Sequence, residues 1–127
     1  MTRINVGIDP ATLCDQMLLA EHREIKRIPN AVKSGRAVMH GIPANLTLGK
    51  GHVRFFYNKL GYLLERYKLI YKECLRRGFC VTPYFKSWDS LCLGGWKESS
   101  EDTKLLQTRI NYKLEHMKTN PRFKTFK

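Results

Sequence analysis

From about residue 52 to 77 the apolar residues return with the period of an α-helix, and no other feature of this chain narrows its fold as far. Val53, Phe56, Leu60, Leu63, Leu64, Tyr67, Ile70, Tyr71, Cys74 and Leu75 recur close to every ~3.6 positions. A stripe of this length has to be covered, so the rest of the chain is expected to pack around it. Gly78 follows as the stop, because glycine enters the left-handed conformation that closes a helix without a Cβ penalty. Glu65, Arg66, Lys72, Glu73 and Arg76 fall mostly on the opposite, solvated side.

Two further segments read as helices. Asp9-Pro10 has the form of a helix start, with Asp9 as N-cap and Pro10 as the first helical residue, and the helix is expected to run to about Arg27, before Pro29. Leu13, Cys14, Met17, Leu18, Ile25 and Ile28 make its broad apolar side, and Gln16, Ala20, Arg23 and Arg27 share the other. Glu24 lies at the edge between the two. Glu21 falls within the apolar side and there requires a polar partner. The third helix starts at Ser100-Glu101-Asp102-Thr103, with acids in its first turn, and runs to about Lys118. Leu106, Ile110, Leu114 and Met117 form its core stripe, flanked by Arg109 and Lys113.

Residues 30–51 carry Gly35, Gly41, Pro43, Gly49 and Gly51 and read as mostly loop, with room for a short helix at 31–34. Residues 79–99 carry Pro83, Trp88, Gly94, Gly95 and Trp96 and read as a long ordered loop pinned by aromatics. The expected fold is therefore all-α: one compact domain over residues 1–127, of about three main helices joined by long ordered loops. A hydrophobic content of 43% over 127 residues suffices for one core.

The charge balance points to a partner. The chain has 23 Lys+Arg against 11 Asp+Glu, a formal net charge of +12, which favours a polyanion, with DNA or RNA ahead of an anionic membrane. Apolar runs such as Met17-Leu18-Leu19-Ala20 are too short to span a bilayer, and no segment joins a basic face to a continuous lipid-binding one. Arg3, Asp9 and Asp15 stand where the apolar stretch of a signal peptide would lie. Cys14, Cys74, Cys80 and Cys92 form no CxxC pair and no zinc-ligand spacing with His22, His40, His52 or His116. They read as reduced, structural thiols of a cytoplasmic protein, with no metal held among them.

A nucleophile is available at the chain start. Removal of Met1 leaves the α-amine of Thr2, whose ordinary pKa of ~7.7–8.0 lies far below the ~10.4 of a lysine. Neighbouring cations such as Arg3, Arg23 or Arg27 favour its neutral form further. A neutral amine attacks electrophilic carbon, a sugar C1′ included, and forms an imine. From Met1-Thr2 alone an ordinary chain start is the better reading.

Four segments change that balance: Met1-Thr2-Arg3-Ile4-Asn5; Asp15-Gln16 with Ala20-Glu21-His22-Arg23-Glu24-Ile25 and Arg27; Leu48-Gly49-Lys50-Gly51-His52-Val53-Arg54-Phe55-Phe56-Tyr57-Asn58-Lys59-Leu60; and Glu73-Cys74-Leu75-Arg76-Arg77-Gly78-Phe79. With these segments in this order the sequence resembles the phage and viral pyrimidine-dimer DNA glycosylases of the endonuclease V type. The resemblance implies a compact helical enzyme in which the amine of a processed terminal Thr attacks C1′ of the damaged nucleotide, releases the base and leaves an imine. A first-helix glutamate supports sugar opening and the elimination that cuts the strand. Carried over, Thr2 is the nucleophile and Glu24 the catalytic carboxylate. Arg3, Gln16, Arg23 and Arg27 match DNA-contacting positions, and Arg109 and Lys113 resemble a basic pair on the last helix that touches DNA. The implied partner is double-stranded damaged DNA, bound by a monomer, with AP-lyase activity on cyclobutane pyrimidine dimers. The alternatives are the same chemistry on another damaged or modified base, and a non-catalytic basic DNA-binding protein.

The sequence departs from the family where His22 stands in place of a frequent Tyr, in a shorter segment between the first two helices, and in a tail whose only aromatics are Phe123 and Phe126. These bear on lesion specificity more than on amine chemistry. Glu21 reads as the partner of a buried cation. His22 stands between a surface residue and a DNA contact. His52 and Phe55-Phe56-Tyr57 read as packing and helix-start residues, Trp88 and Trp96 as loop anchors, and Phe123 and Phe126 fall evenly between packing and nucleic-acid contact.

Overall fold

The chain enters its core at once, burying Ile4, Val6 and Ile8 in an irregular opening segment. A 3-10 turn at Pro10–Thr12 follows, then the helices α1 (Asp15–Glu24), α2 (Arg27–Lys33), α3 (His52–Phe55), α4 (Leu60–Arg76) and α5 (Ser100–Thr119), with a second 3-10 turn at Phe85–Trp88 before the last. These elements come from a computed structural model that describes residues 2–119, with side chains described through residue 116. Among the described residues there is no strand, and none of the helices is long and apolar enough to cross a membrane. The all-α expectation holds, with more and shorter helices than the periodicity suggested.

Both ends of the first expected helix are corrected. Asp9 does cap, its Oδ1 accepting from Ala11 N–H at 3.0 Å, but what it caps is the 3-10 turn. The α-helix begins only at Asp15. Pro29 does not stop the first helical run; it sits at the third position of α2, where its missing N–H is one that has no partner inside the helix anyway.

The long stripe of residues 52–77 is broken into α3 and α4 at residues 56–59. The cause lies more than thirty residues downstream. The Gly94 carbonyl accepts from Gly61 N–H at 2.9 Å and from Tyr62 N–H at 3.3 Å, capping the first turn of α4 from outside. Only glycine fits there, because a Cβ on Gly94 would lie 2.1 Å from the Asn58 carbonyl oxygen. The loop that delivers Gly94 is held by its aromatics. Trp88 is buried with its indole N–H on the Leu60 carbonyl at 3.1 Å, and Trp96 packs edge-on against Phe55, Phe56 and Tyr62.

At its far end α4 closes as its glycine requires. Gly78 has φ +83°, its N–H bonds the Leu75 carbonyl, and the Phe79 N–H bonds that of Cys74. The α4 stripe packs against α1 and both 3-10 turns, with Leu63, Tyr67, Ile70 and Cys74 fully buried. Leu75, expected in that stripe, is exposed. Helix α5 buries Leu106 and Ile110 and rests Leu114 on the same core; the Met117 side chain and the Phe123/Phe126 tail lie outside the described residues. All four cysteines are free, Cys14 and Cys74 buried.

Two charged residues expected on the solvated side of α4 are buried instead, Arg66 and Glu73. Arg66 forks onto Glu21 of α1, Nε to Oε2 at 2.8 Å and Nη2 to Oε1 at 3.1 Å, and also donates to the Ile8 carbonyl. Burial disfavours the Arg66 cation, yet the Glu21 carboxylate outweighs it and raises its pKa. Glu73 is held down to about 2, first by Arg76 and then by Arg77, against the opposing effect of burial. Arg77 extends that contact to Asp15 at 2.8 Å and to the Leu13 carbonyl at 2.8 Å, tying the end of α4 to the start of α1. Removing one partner of the Arg66–Glu21 pair strands a buried charge. Arg66→Met is therefore expected to cost about 3–5 kcal/mol, read as a lower denaturant midpoint at unchanged slope.

Candidate active site

The opening segment is positioned by His52, which sequence reasoning assigned to packing, and by Glu21, which it read as the partner of a buried cation. Ile4 N–H donates to Nε2 of the buried His52 at 2.9 Å. That ring nitrogen must therefore be unprotonated, so Nδ1 carries the hydrogen and donates to the Thr47 carbonyl at 2.8 Å. Asn5 N–H and its side-chain Nδ2 donate to Glu21 at 3.3 and 2.8 Å. Glu21 thus receives donors from Asn5 and Arg66 on both oxygens. It is a structural anchor, as its place on the apolar side required, and its partners leave it no role as a proton carrier.

Burial lowers the His52 pKa to about 4, helped by Arg3 and Arg109 against the raising effects of the Thr47 carbonyl and Glu21. An unfolded histidine titrates near ~6.5, so the unfolded chain binds the extra proton first. Stability from this group is full above pH 6.5 and is lost as pH falls towards 4. The expected loss is about 3 kcal/mol. Chemical denaturation of the parent and of His52→Gln across that range checks it: the parent should fall more steeply by that amount.

Beside this anchor lies a cleft of about 200 Å³, lined by Arg3, Asn5, Met17, Ala20, Glu21, Glu24, Arg109 and Lys113. Three segments far apart in sequence meet there: the opening strand of chain, the buried-to-exposed edge of α1, and the middle of α5. Glu24, at the last position of α1, keeps 15% of its side chain exposed and meets Arg23 at 3.4 Å. Arg3 has its pKa lowered by burial and by Arg109, and Arg109 has its own lowered by burial despite Glu21. Two partly desolvated guanidinium groups lining one cleft suit an anion, since an incoming phosphate offsets the cost of their burial.

The structure thus gathers Arg3, Glu24, Arg109 and Lys113 around one cleft. Thr2 is buried immediately before Arg3 and is not among the lining groups. Arg23 reaches the rim through Glu24, whereas Gln16 and Arg27 are exposed outside the lining. The shared side expected of Gln16, Arg23 and Arg27 spans two helices, because Arg27 begins α2. His22 is not a surface residue. It is buried with Nε2 at 3.0 Å from the Tyr67 hydroxyl, packed among Tyr67, Tyr71 and Tyr84. Tyr67 accepts from Tyr84 N–H at 2.8 Å and so gives its single hydrogen to His22. Asn5 and Arg66 are the groups sequence reasoning passed over. The one available signal was Glu21 itself, a carboxylate on an apolar face that had to find donors.

The cleft combines a carboxylate at its edge with a cationic wall, and the opening segment enters its lining at Arg3 and Asn5. A family model described as pyrimidine dimer DNA glycosylase matches residues 1–87, a span that contains Arg3, Glu24, His52 and Arg66 but not α5.

Proposed function

The chain belongs to the pyrimidine dimer DNA glycosylase family, and from that premise we propose that it excises a base of a cyclobutane pyrimidine dimer through the α-amine of Thr2 and then cuts the strand as an AP lyase. The observation that carries this reading is the meeting of Arg3, Glu24, Arg109 and Lys113 around one cleft next to the Thr2 segment.

In the proposed sequence Met1 is removed and the neutral Thr2 amine attacks C1′ of a nucleotide of the dimer. The glycosidic C1′–N bond breaks, and its electron pair leaves with the base, which takes a proton from water. Glu24 accepts the proton shed by the attacking nitrogen. The C1′–O4′ bond then opens as the nitrogen lone pair forms the C1′=N bond, and Glu24 returns its proton to O4′. The resulting iminium acidifies C2′; loss of that proton expels the 3′ phosphate oxygen, and water releases the imine. A carboxylate beside a cationic sugar and iminium stabilises what forms during the reaction rather than what is bound at the start. Arg3, Arg109 and Lys113 hold phosphates, with Gln16, Arg23 and Arg27 extending the contact along the duplex. Extrusion of the nucleotide costs least where damage has already weakened its pairing. No metal or organic cofactor enters any step.

Borohydride trapping of Met1-processed protein on irradiated duplex DNA tests the reading. A covalent adduct on irradiated DNA alone is expected. An adduct on a different modified base only would move the lesion assignment. No adduct with any damaged duplex, despite retained binding, would leave a non-catalytic DNA-binding protein.

A further inference from the structure

Asn5 is 4% exposed, and only half of its amide is used. Charge fixes which half. Turning the amide over would press Oδ1 against a buried carboxylate already locked by Arg66, so Nδ2 faces Glu21 and Oδ1 faces away. Among the described residues Oδ1 has no hydrogen-bond partner. A buried acceptor left empty costs stability unless something fills it, and Asn5 lines the same cleft as Glu24.

The surroundings specify the donor. Met17 and Ala20 are the only apolar residues of the lining, and it has no aromatic ring on which a base could stack. Its charges suit a sugar-phosphate. An intact deoxyribose within a strand offers no donor, since its ring and phosphate oxygens only accept. A hydroxyl appears on it only when the ring opens.

We infer that Asn5 Oδ1 accepts a hydrogen bond from the 4′-hydroxyl of the ring-opened sugar, which makes Asn5 a catalytic residue. The inference rests on the amine mechanism proposed above. As C1′–O4′ breaks, its electron pair goes to O4′, the nitrogen lone pair forms C1′=N, and O4′ takes the proton Glu24 carries. The new hydroxyl then points its hydrogen at Oδ1. Because the donor is absent from the bound substrate, the contact lowers the energy of the opened form alone.

Asn5→Ser tests this: it removes Oδ1 while the backbone N–H of residue 5 still donates to Glu21. Expected are a melting midpoint lowered by a few degrees, affinity for a duplex with a closed-ring tetrahydrofuran site within about twofold, and single-turnover adduct formation slowed about tenfold. An unchanged trapping rate, or an equal loss of closed-ring affinity, overturns the inference. The wild-type chain gives a second measurement that needs no variant. The Asn5 side-chain amide resonance should shift in the borohydride-reduced adduct, which keeps the 4′-hydroxyl, and not in the tetrahydrofuran complex. A trapped adduct with an unmoved Asn5 amide removes this inference alone. No adduct from the wild type removes the amine mechanism and this inference with it.

Discussion

Glu24→Gln is expected to slow adduct formation and strand cutting on irradiated duplex by at least about a hundredfold. Glutamine keeps the shape and hydrogen-bonding reach of the side chain but neither takes the proton from the attacking nitrogen nor returns it to O4′. It also removes the negative charge facing the developing iminium. Structure should be little disturbed, because Glu24 is at the end of α1 and pairs with the exposed Arg23 at 3.4 Å. DNA affinity should hold or rise, since the cleft loses an anion beside Arg3, Arg109 and Lys113. Single-turnover kinetics with a parallel binding titration separates the two effects. A variant within about threefold of the parent rate, at equal binding, would assign Glu24 to DNA contact rather than proton transfer.

Retention of Met1 is expected to abolish the adduct altogether, a loss of at least about a thousandfold against the processed chain. One extra residue moves the amine by about 3.8 Å. The chain cannot slide to compensate, because Ile4 N–H is fixed on His52 and Asn5 N–H on Glu21. A slip of one position would break both contacts and push Ile4 and Val6 out of the core. Intact-protein mass spectrometry of each preparation, paired with trapping on the same DNA, provides the check. Full trapping by protein shown to keep Met1 would refute the role of the Thr2 amine. Mild acid gives a related expectation: protonation of His52 towards pH 4 removes the acceptor for Ile4 N–H and loosens the segment that carries Thr2.

What was legible in the sequence were features carried by near neighbours. The α4 stripe and its Gly78 stop, the acidic start of α5, and the i, i+4 pair Arg109 and Lys113 depend on spacing alone, and spacing is local. Glu21 was legible as a carboxylate in need of a partner for the same reason. The demand is written in the helix period, whereas the supplier of the donors is not.

The remainder depended on contacts across the chain. A periodic run from 52 to 77 contains nothing to mark a break at 56–59, because the break is made by the Gly94 carbonyl arriving from another segment. Arg66 and Glu73 look like solvated charges on a helix wheel; burial became affordable only once Glu21 stood opposite the first and Arg76 and Arg77 beside the second. His22 carries no sequence mark separating a surface imidazole from one enclosed by Tyr67, Tyr71 and Tyr84. By itself, then, the sequence determined a basic, helical chain with its candidate carboxylate and cations on named helices, since period and charge are properties of the strand of residues. Only the tertiary structure decided that residues near 3, 24 and 109 share one cleft and that Asn5, with a buried amide oxygen, lies in its lining, because closing those long loops is the work of the whole core.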